Sequence, residues 1–271
     1  DGTIINQLSI LKKDNFGPKI WKLFCGSEGT YGIITKANLK LLPKKKNTHT
    51  FLIEITKFNI LFKLFKDLRS EYFDELTSYE VIFPKPVSIL NQTINDNYNL
   101  IIEFSSNEKK SYINKFEKFK ILKFEKNFTN SKIWPLRTKV VTQQALLSYI
   151  YKFDVSLPIN NWSLFLNKMD LFHKKNKSYK PYFFGHLGDG NLHCNYKIYD
   201  SNDLKYKKLE NFIYNLIIKL GGSIAAEHGL GFRKNNLIKK YKAKEIYKVL
   251  SEMKLFFDKK KLLNKNKLIK T

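Results

Sequence analysis

The sequence predicts an α+β fold in which helices cover an antiparallel sheet. Three observations lead there. Strand-like alternation and helix-like apolar spacing interleave without a strict strand–helix–strand repeat. Asp189-Gly190, set between two apolar runs, signals a hairpin and so pairs neighbouring strands antiparallel. Finally, 271 residues of which 43% are hydrophobic suffice for one or two domains with a sizeable core.

From the N-terminus, Thr3–Leu11, Lys22–Cys25 and Ile33–Leu42 read as short strands. The glycine turns Asp14–Pro18 and Gly26–Gly32 separate them. Pro43-Lys44-Lys45-Lys46-Asn47 joins a structure-breaking residue to a charge run and marks a boundary, dividing the chain into residues 1–43 and 44–271. Thr50–Thr56 is a strand, and Ile60–Glu71 a helix with Ile60, Leu61, Leu64, Phe65 and Leu68 at helical spacing. Leu76–Phe83 and Tyr98–Phe104 are further strands, and Lys109–Phe119 a helix. Trp134-Pro135-Leu136-Arg137 leads into a helix-like stretch, and Tyr151–Pro158 is a strand ended by proline. Asn161–His173 is helical, 181–198 is the hairpin, and Leu204–Leu220 is an apolar helix ended by Gly221-Gly222. A short strand of small residues follows, and the tail Asp258–Thr271 is polar and Lys-rich.

The formal charge of +25 invites a nucleic-acid reading, but of 49 basic residues only Arg69, Arg137 and Arg233 are Arg. Base and phosphate recognition leans on the guanidinium fork, so no specific nucleic-acid partner is expected. The lysines imply only a loose, non-specific attraction to polyanions or anionic membranes at low salt. Two cysteines, Cys25 and Cys194, make no disulfide framework, and no apolar run is long enough to span a membrane.

The most informative segment is Gly185–Asn195. With Asp189 and Gly190 at the centre of a two-residue turn, His186 faces His193 with Cβ atoms about 4.5–5.5 Å apart. Two neutral imidazoles so placed can share one divalent ion, although a polar hairpin with two surface histidines has the same spacing. Asn195 shares the face of His193, whereas Cys194 alternates away from it. Glu227, in the glycine-flanked segment Gly221–Gly231, completes a set of two imidazoles and a carboxylate; His228 beside it is left to handle a proton. Three of the five histidines fall in these two segments, which favours the metal. In a chain so poor in Arg, Arg137 suits a bidentate carboxylate clamp. Lys152, among so many lysines, reads as a solvated side chain. Gly26–Gly32 suits either a phosphate cradle of backbone N–H groups or an ordinary turn.

Five segments together resemble the flavin-dependent 2-hydroxy acid dehydrogenases of the vanillyl-alcohol-oxidase-like fold, most of all the D-2-hydroxyglutarate dehydrogenase family. They are Lys12–Asn15, Leu23–Thr35, Tyr151–Pro158, Gly185–Asn195 and Ala226–Lys234. The resemblance implies that residues 1–43 are the last piece of an FAD-binding domain and that 44–271 are the FAD-linked oxidase C-terminal domain. It implies Zn2+ or another divalent metal at His186, His193 and Glu227, substrate carboxylates at Arg137 and Lys152, a substrate contact from Asn195, and His228 as proton acceptor. It also implies FAD contacts from Gly26, Ser27, Glu28, Gly29, Gly32, Ile33, Ile34 and Asn264. The expected reaction is oxidation of D-2-hydroxyglutarate to 2-oxoglutarate, with D-lactate or glycolate as rival substrates and a non-catalytic metal-binding module as the alternative. Relatives further suggest an electron-transfer flavoprotein as acceptor, a homodimer, and a mitochondrial location in a eukaryote or a cytoplasmic one otherwise.

Departures from the family pattern accompany the likeness. The family's substrate-binding Thr falls at Val141, so Thr142, one position later, is the expected replacement. Family Pro, Gly and Pro in the end motif are Lys259, Lys261 and Lys265 here. The family's FAD-binding half with its pyrophosphate loop is not among these 271 residues, so the chain is expected either to be a piece of a longer one or to have the remainder supplied by a partner, and by itself to bind FAD poorly or not at all.

Overall fold

The structure, a computed structural model, describes residues 2–88, 97–108, 112–117, 119, 123–125, 130–148, 150–198, 203–265 and 267–269. The chain divides into two compact units, Lys44–Ala226 and Asp1–Pro43 together with Glu227–Thr271.

The larger unit holds β1 (Asn47–Ile55), α1 (Phe58–Glu71), β2 (Leu76–Ile82), α2 (Pro84–Ser88), β3 (Tyr98–Ser106), α3 (Asn114–Glu117) and β4 (Lys123–Glu125). It continues with α4 (Asn130–Ala145), β5 (Ile150–Tyr151), β6 (Asp154–Ser156), α5 (Trp162–Lys175), β7 (Tyr179–His186), β8 (Asn191–Ile198) and α6 (Asp203–Lys219). The eight strands form one sheet in the order β4-β1-β3-β2-β7-β8-β5, with β6 also pairing β8. Every described pairing is antiparallel, so the fold is α+β with helices on an antiparallel sheet. The helix expected over Lys109–Phe119 is described only as α3, and residues 109–111 and 118 lie outside the described residues.

Alternation along the strands gives the sheet two different faces. On one, Tyr79, Val81, Phe183, Cys194 and Tyr196 are buried beneath α1, α5 and α6. Leu61, Leu64, Phe65 and Leu68 form the inward stripe of α1, and Trp162, Phe165, Leu166, Met169 and Phe172 that of α5. Phe65 meets Tyr79 with ring centroids 5.0 Å apart, and Phe153 meets Tyr214 of α6 at 5.6 Å. Each such side chain contributes about 1.5–3 kcal/mol on leaving water.

The other face is covered by α4. Its buried stripe runs Ile133, Arg137, Val140, Gln144, a helical spacing of four, three and four with two polar members. Ile133 and Val140 pack on Ile82, Ile101 and Phe184. Trp134 Nε1 donates to Glu103 Oε2 at 3.0 Å, so a carboxylate on β3 also holds the helix.

Glycine is needed where the hairpin meets its neighbour. Gly190 has φ +69°, and a Cβ there would stand 2.4 Å from Leu157 O.

In the smaller unit, α7 (Asn235–Tyr241) and α8 (Lys244–Phe257) pack with Tyr31, Leu268 and Ile269. Lys254 Nζ is buried and donates to Thr30 O at 2.9 Å and to Asp258 Oδ2 and Leu263 O at 2.5 Å each. The Lys254 hydrogen bond holds the Asp258 carboxyl down at about 2. The strands expected over Thr3–Leu11, Lys22–Cys25 and Ile33–Leu42 are not strands: their described residues are irregular, with a 3-10 turn at Ile20–Leu23. A strand forms only where another takes its N–H and C=O groups, and no described segment does so here. Lys261 sits in the left-handed region at φ +53°. No helix among the described residues is long and apolar enough to cross a membrane.

Candidate metal and substrate site

The hairpin's turn differs from the two-residue form expected. A 3-10 turn over Leu187–Asp189 closes on Gly190 in the left-handed conformation, and Phe184 rather than His186 is the partner of His193. The longer loop displaces the register by an even number of residues, so both imidazoles keep one face. Their ring centroids lie 5.7 Å apart, and each offers a nitrogen within 4.8 Å of the other's.

Behind each ring stands a carboxylate placed by the sheet itself. Glu80 on β2 is the register partner of His186, and Asp154 on β6 that of His193. Glu80 Oε1 bonds His186 Nδ1, and Asp154 Oδ1 lies 3.6 Å from His193 Nδ1. Metal-binding imidazoles characteristically give their second nitrogen to a carboxylate, which fixes the tautomer and aims the other nitrogen. The donor set therefore fits a divalent ion. Burial pushes the Glu80 carboxyl up, but hydrogen bonds and charge from His186 and Arg137 outweigh it and hold it below the ordinary range.

Arg137, at the middle of the α4 stripe, donates from Nε to Glu80 Oε2 at 2.9 Å and lies over the Phe184 ring at 4.4 Å. Its Nη2 stands 3.5 Å from His186 Nε2. Nε is thus committed, and Nη2 is turned toward the imidazole. Two turns further along, Gln144 Oε1 accepts from Asn195 Nδ2 at 2.8 Å, while Gln144 Nε2 is buried without a partner among the described residues. β5 and β6 pair β8 in one register, Tyr151 opposite Tyr196 and Asp154 opposite His193, which places the exposed Lys152 opposite Asn195. Thr142 does not join them. It is exposed, and its hydroxyl turns back to Lys139 O at 3.1 Å, because one position along a helix rotates a side chain about 100°.

The segment before Glu227 runs beside β6: Ser223 and Ser156 exchange backbone hydrogen bonds at 2.9 and 3.0 Å, and Ala226 N donates to Asp154 O at 3.4 Å. Glu227 and His228 follow directly in the chain, both exposed.

Within the smaller unit, Gly26–Gly32 is not an open cradle of donors. Ser27 N and Thr30 N bond Phe24 O and Ser27 O, and the Glu28 carboxylate accepts from Leu230 N at 2.8 Å and Gly231 N at 2.9 Å. A carboxylate at its centre suits a phosphate poorly. Asn264 Nδ2 donates to Glu28 O. The buried Thr30 Oγ1 has no hydrogen-bond partner among the described residues and fits a further ligand, while Ile33 and Ile34 offer exposed apolar surface.

Sequence reasoning missed Glu80, Asp154 and Gln144. A lone acid amid apolar strand residues, as in Tyr79-Glu80-Val81-Ile82 and Phe153-Asp154-Val155, was the available signal.

Comparison with known proteins identifies the family. Residues 76–268 match the family FAD linked oxidases, C-terminal domain. A mitochondrial D-2-hydroxyglutarate dehydrogenase of Arabidopsis thaliana is 28% identical over 99% of this chain and 51% of its own length. A D-2-hydroxyglutarate–pyruvate transhydrogenase of Saccharomyces cerevisiae is 28% identical over 99% of this chain and 60% of its own. The chain thus spans about half the length of the relatives it matches. Substrate-bound p-cresol methylhydroxylase shares the fold with a TM-score of 0.65 at 13% identity, over 94% of this chain and 59% of its own.

Proposed function

The chain belongs to the family of FAD linked oxidases, C-terminal domain, and from that premise we propose that it carries the metal- and substrate-binding part of an enzyme that oxidises D-2-hydroxyglutarate to 2-oxoglutarate. Residues 1–43 are then the last piece of the FAD-binding domain and 44–271 the substrate domain. His186, His193 and Glu227 hold a divalent ion, zinc by preference for this donor set. FAD lies against Gly26, Ser27, Glu28, Gly29, Gly32, Ile33, Ile34 and Asn264, with the Thr30 hydroxyl as an added donor.

One observation carries this reading. Two imidazoles share a sheet face, each backed by the carboxylate across the strand, and the guanidinium of Arg137 stands beside one of them. When bound, the ion supplies Lewis acidity to the substrate hydroxyl and the flavin supplies a hydride acceptor. Arg137 holds the carboxylate next to the reacting carbon through its Nη groups, since Nε is engaged by Glu80. Lys152 and Asn195, opposite one another on the same face, take the second carboxylate. His228 accepts the hydroxyl proton as the α-hydrogen departs with its electron pair. A second cationic group, the exposed Lys152, favours a dicarboxylate over lactate through its attraction for the second carboxylate.

An electron-transfer flavoprotein as acceptor, a homodimeric assembly and a mitochondrial location in a eukaryote complete the proposal; the names of the matched relatives support the location. The test is turnover of D-2-hydroxyglutarate, D-lactate and glycolate by the full gene product, replete with FAD and zinc, using an artificial acceptor. D-2-hydroxyglutarate should lead by at least tenfold in kcat/KM. Equal turnover of D-lactate removes the dicarboxylate assignment, and no turnover of any 2-hydroxy acid removes the enzyme.

A further inference from the structure

Glu80 has two oxygens and spends each on a different functional group. Oε1 takes the Nδ1 side of His186, and Oε2 takes Nε of Arg137 at 2.9 Å. Its own position is closely fixed: it is 4% exposed, and its backbone is paired on both sides, with Ile101 on β3 and His186 on β7. The geometry points to Glu80 as a positioning residue that couples the metal ligand His186 to the carboxylate clamp Arg137, so that one buried carboxylate sets metal affinity and substrate affinity together. This rests on the metal reading of His186 given above.

Two physical effects act through it. Fixing Nδ1 selects the tautomer whose Nε2 is available to a cation and removes the ring's freedom to rotate away. Charge is the second. Arg137 Nη2 lies only 3.5 Å from that same Nε2, so a cation bound there meets a neighbouring guanidinium. The negative charge of Glu80, touching both groups, offsets that repulsion. The Asp154–His193 pair has no comparable link to an Arg among the contacts described for it.

Glu103 provides an internal control. It too is a carboxylate on this sheet face that holds α4, through Trp134 Nε1, but its described partners are Trp134, Thr50 and Thr77, with no imidazole among them. Zinc affinity of the full gene product, measured by competition with a chromophoric chelator, separates the two. Glu80→Gln should weaken zinc binding by about tenfold to a hundredfold and raise the KM for the 2-hydroxy acid more than it lowers kcat. Glu103→Gln should lower the melting temperature while leaving zinc affinity within about twofold. Should Glu80→Gln fail to fold, Arg137→Lys tests the link from its other end: it retains a cation but lacks the Nε donor, and zinc affinity should change by at least about threefold. Zinc affinity unchanged in Glu80→Gln, or in Arg137→Lys where that variant stands in, overturns the coupling while leaving the metal site standing. Zinc binding equal in wild type and His193→Ala overturns both the coupling and the metal reading on which it rests.

Discussion

The two faces of the sheet are built from alternate residues of the same strands, yet they are held by different physics. Tyr79 and Val81 point into a continuous apolar layer beneath α1 and α5, whereas Glu80 between them meets an imidazole and a guanidinium. On the first face side chains lose water and gain dispersion contacts, so many residues share the stabilisation and each is replaceable by another of similar size. On the second, each buried polar group needs a particular partner at a particular distance, and losing one leaves the other uncompensated. The comparison teaches that one parity of the strands carries the candidate site's polar groups, beside the apolar contacts of Ile82, Ile101 and Phe184 that help to hold that face.

The strongest way to break the comparison is at the metal. His193→Ala should abolish stoichiometric zinc, read by elemental analysis, and slow turnover by on the order of a thousandfold, the several kcal/mol that Lewis-acid assistance supplies; the melting temperature without zinc should fall as well, because the buried Asp154 carboxylate loses the imidazole beside it. Retention of zinc and turnover would refute the ligand assignment. On the opposite face, Phe165→Ala should cost about 3–5 kcal/mol of unfolding free energy in urea titration, with zinc affinity per folded molecule unchanged. A proportionate loss of zinc affinity would show that the faces are not independent.

His173 tests the apolar face at its polar exception. Its Nε2 lies 2.9 Å from the Tyr196 hydroxyl, and burial followed by the charge of Lys85 pushes its pKa down to about 4. Because the folded value lies below the unfolded 6.5, both states are neutral above pH 6.5. Between pH 6.5 and 4 the unfolded chain takes up a proton that the folded one refuses, so stability falls as pH falls and levels off near 4. After allowance for solvent screening the loss is about 2 kcal/mol. In His173→Phe that part of the acid dependence should vanish, and denaturant melts at pH 7 and 4.5 that shift in parallel with wild type would dismiss it. The smallest effect is expected at Thr142→Val, where the hydroxyl already bonds its own helix. Turnover within about twofold of wild type is expected, and a tenfold rise in KM would return Thr142 to the substrate site.

Much of this was legible without coordinates. The helical spacing of Leu61, Leu64, Phe65 and Leu68 and the hairpin between Phe183 and Tyr196 follow from local periodicity and turn chemistry. The face shared by His186, His193 and Asn195 was legible as well, because strand parity does not depend on the turn's length so long as the shift is even. The 3-10 turn was not, since Asp189-Gly190 suits both a two-residue loop and a longer one closing on a left-handed glycine. The strands expected in residues 3–42 failed for a different reason: apolar alternation states that a segment can pair, never that a partner is at hand.

What the chain determines by itself is which side chains share a face, for that is fixed by the bond geometry of each residue and its neighbours. Only the tertiary structure decided which faces meet. That β2 lies beside β7, bringing Glu80 opposite a histidine 106 residues away, and that α4 lays Arg137 on the other oxygen of the same carboxylate, are outcomes of sheet order and helix docking. Those depend on the burial of the whole apolar face, and no local pattern around Glu80 encodes them.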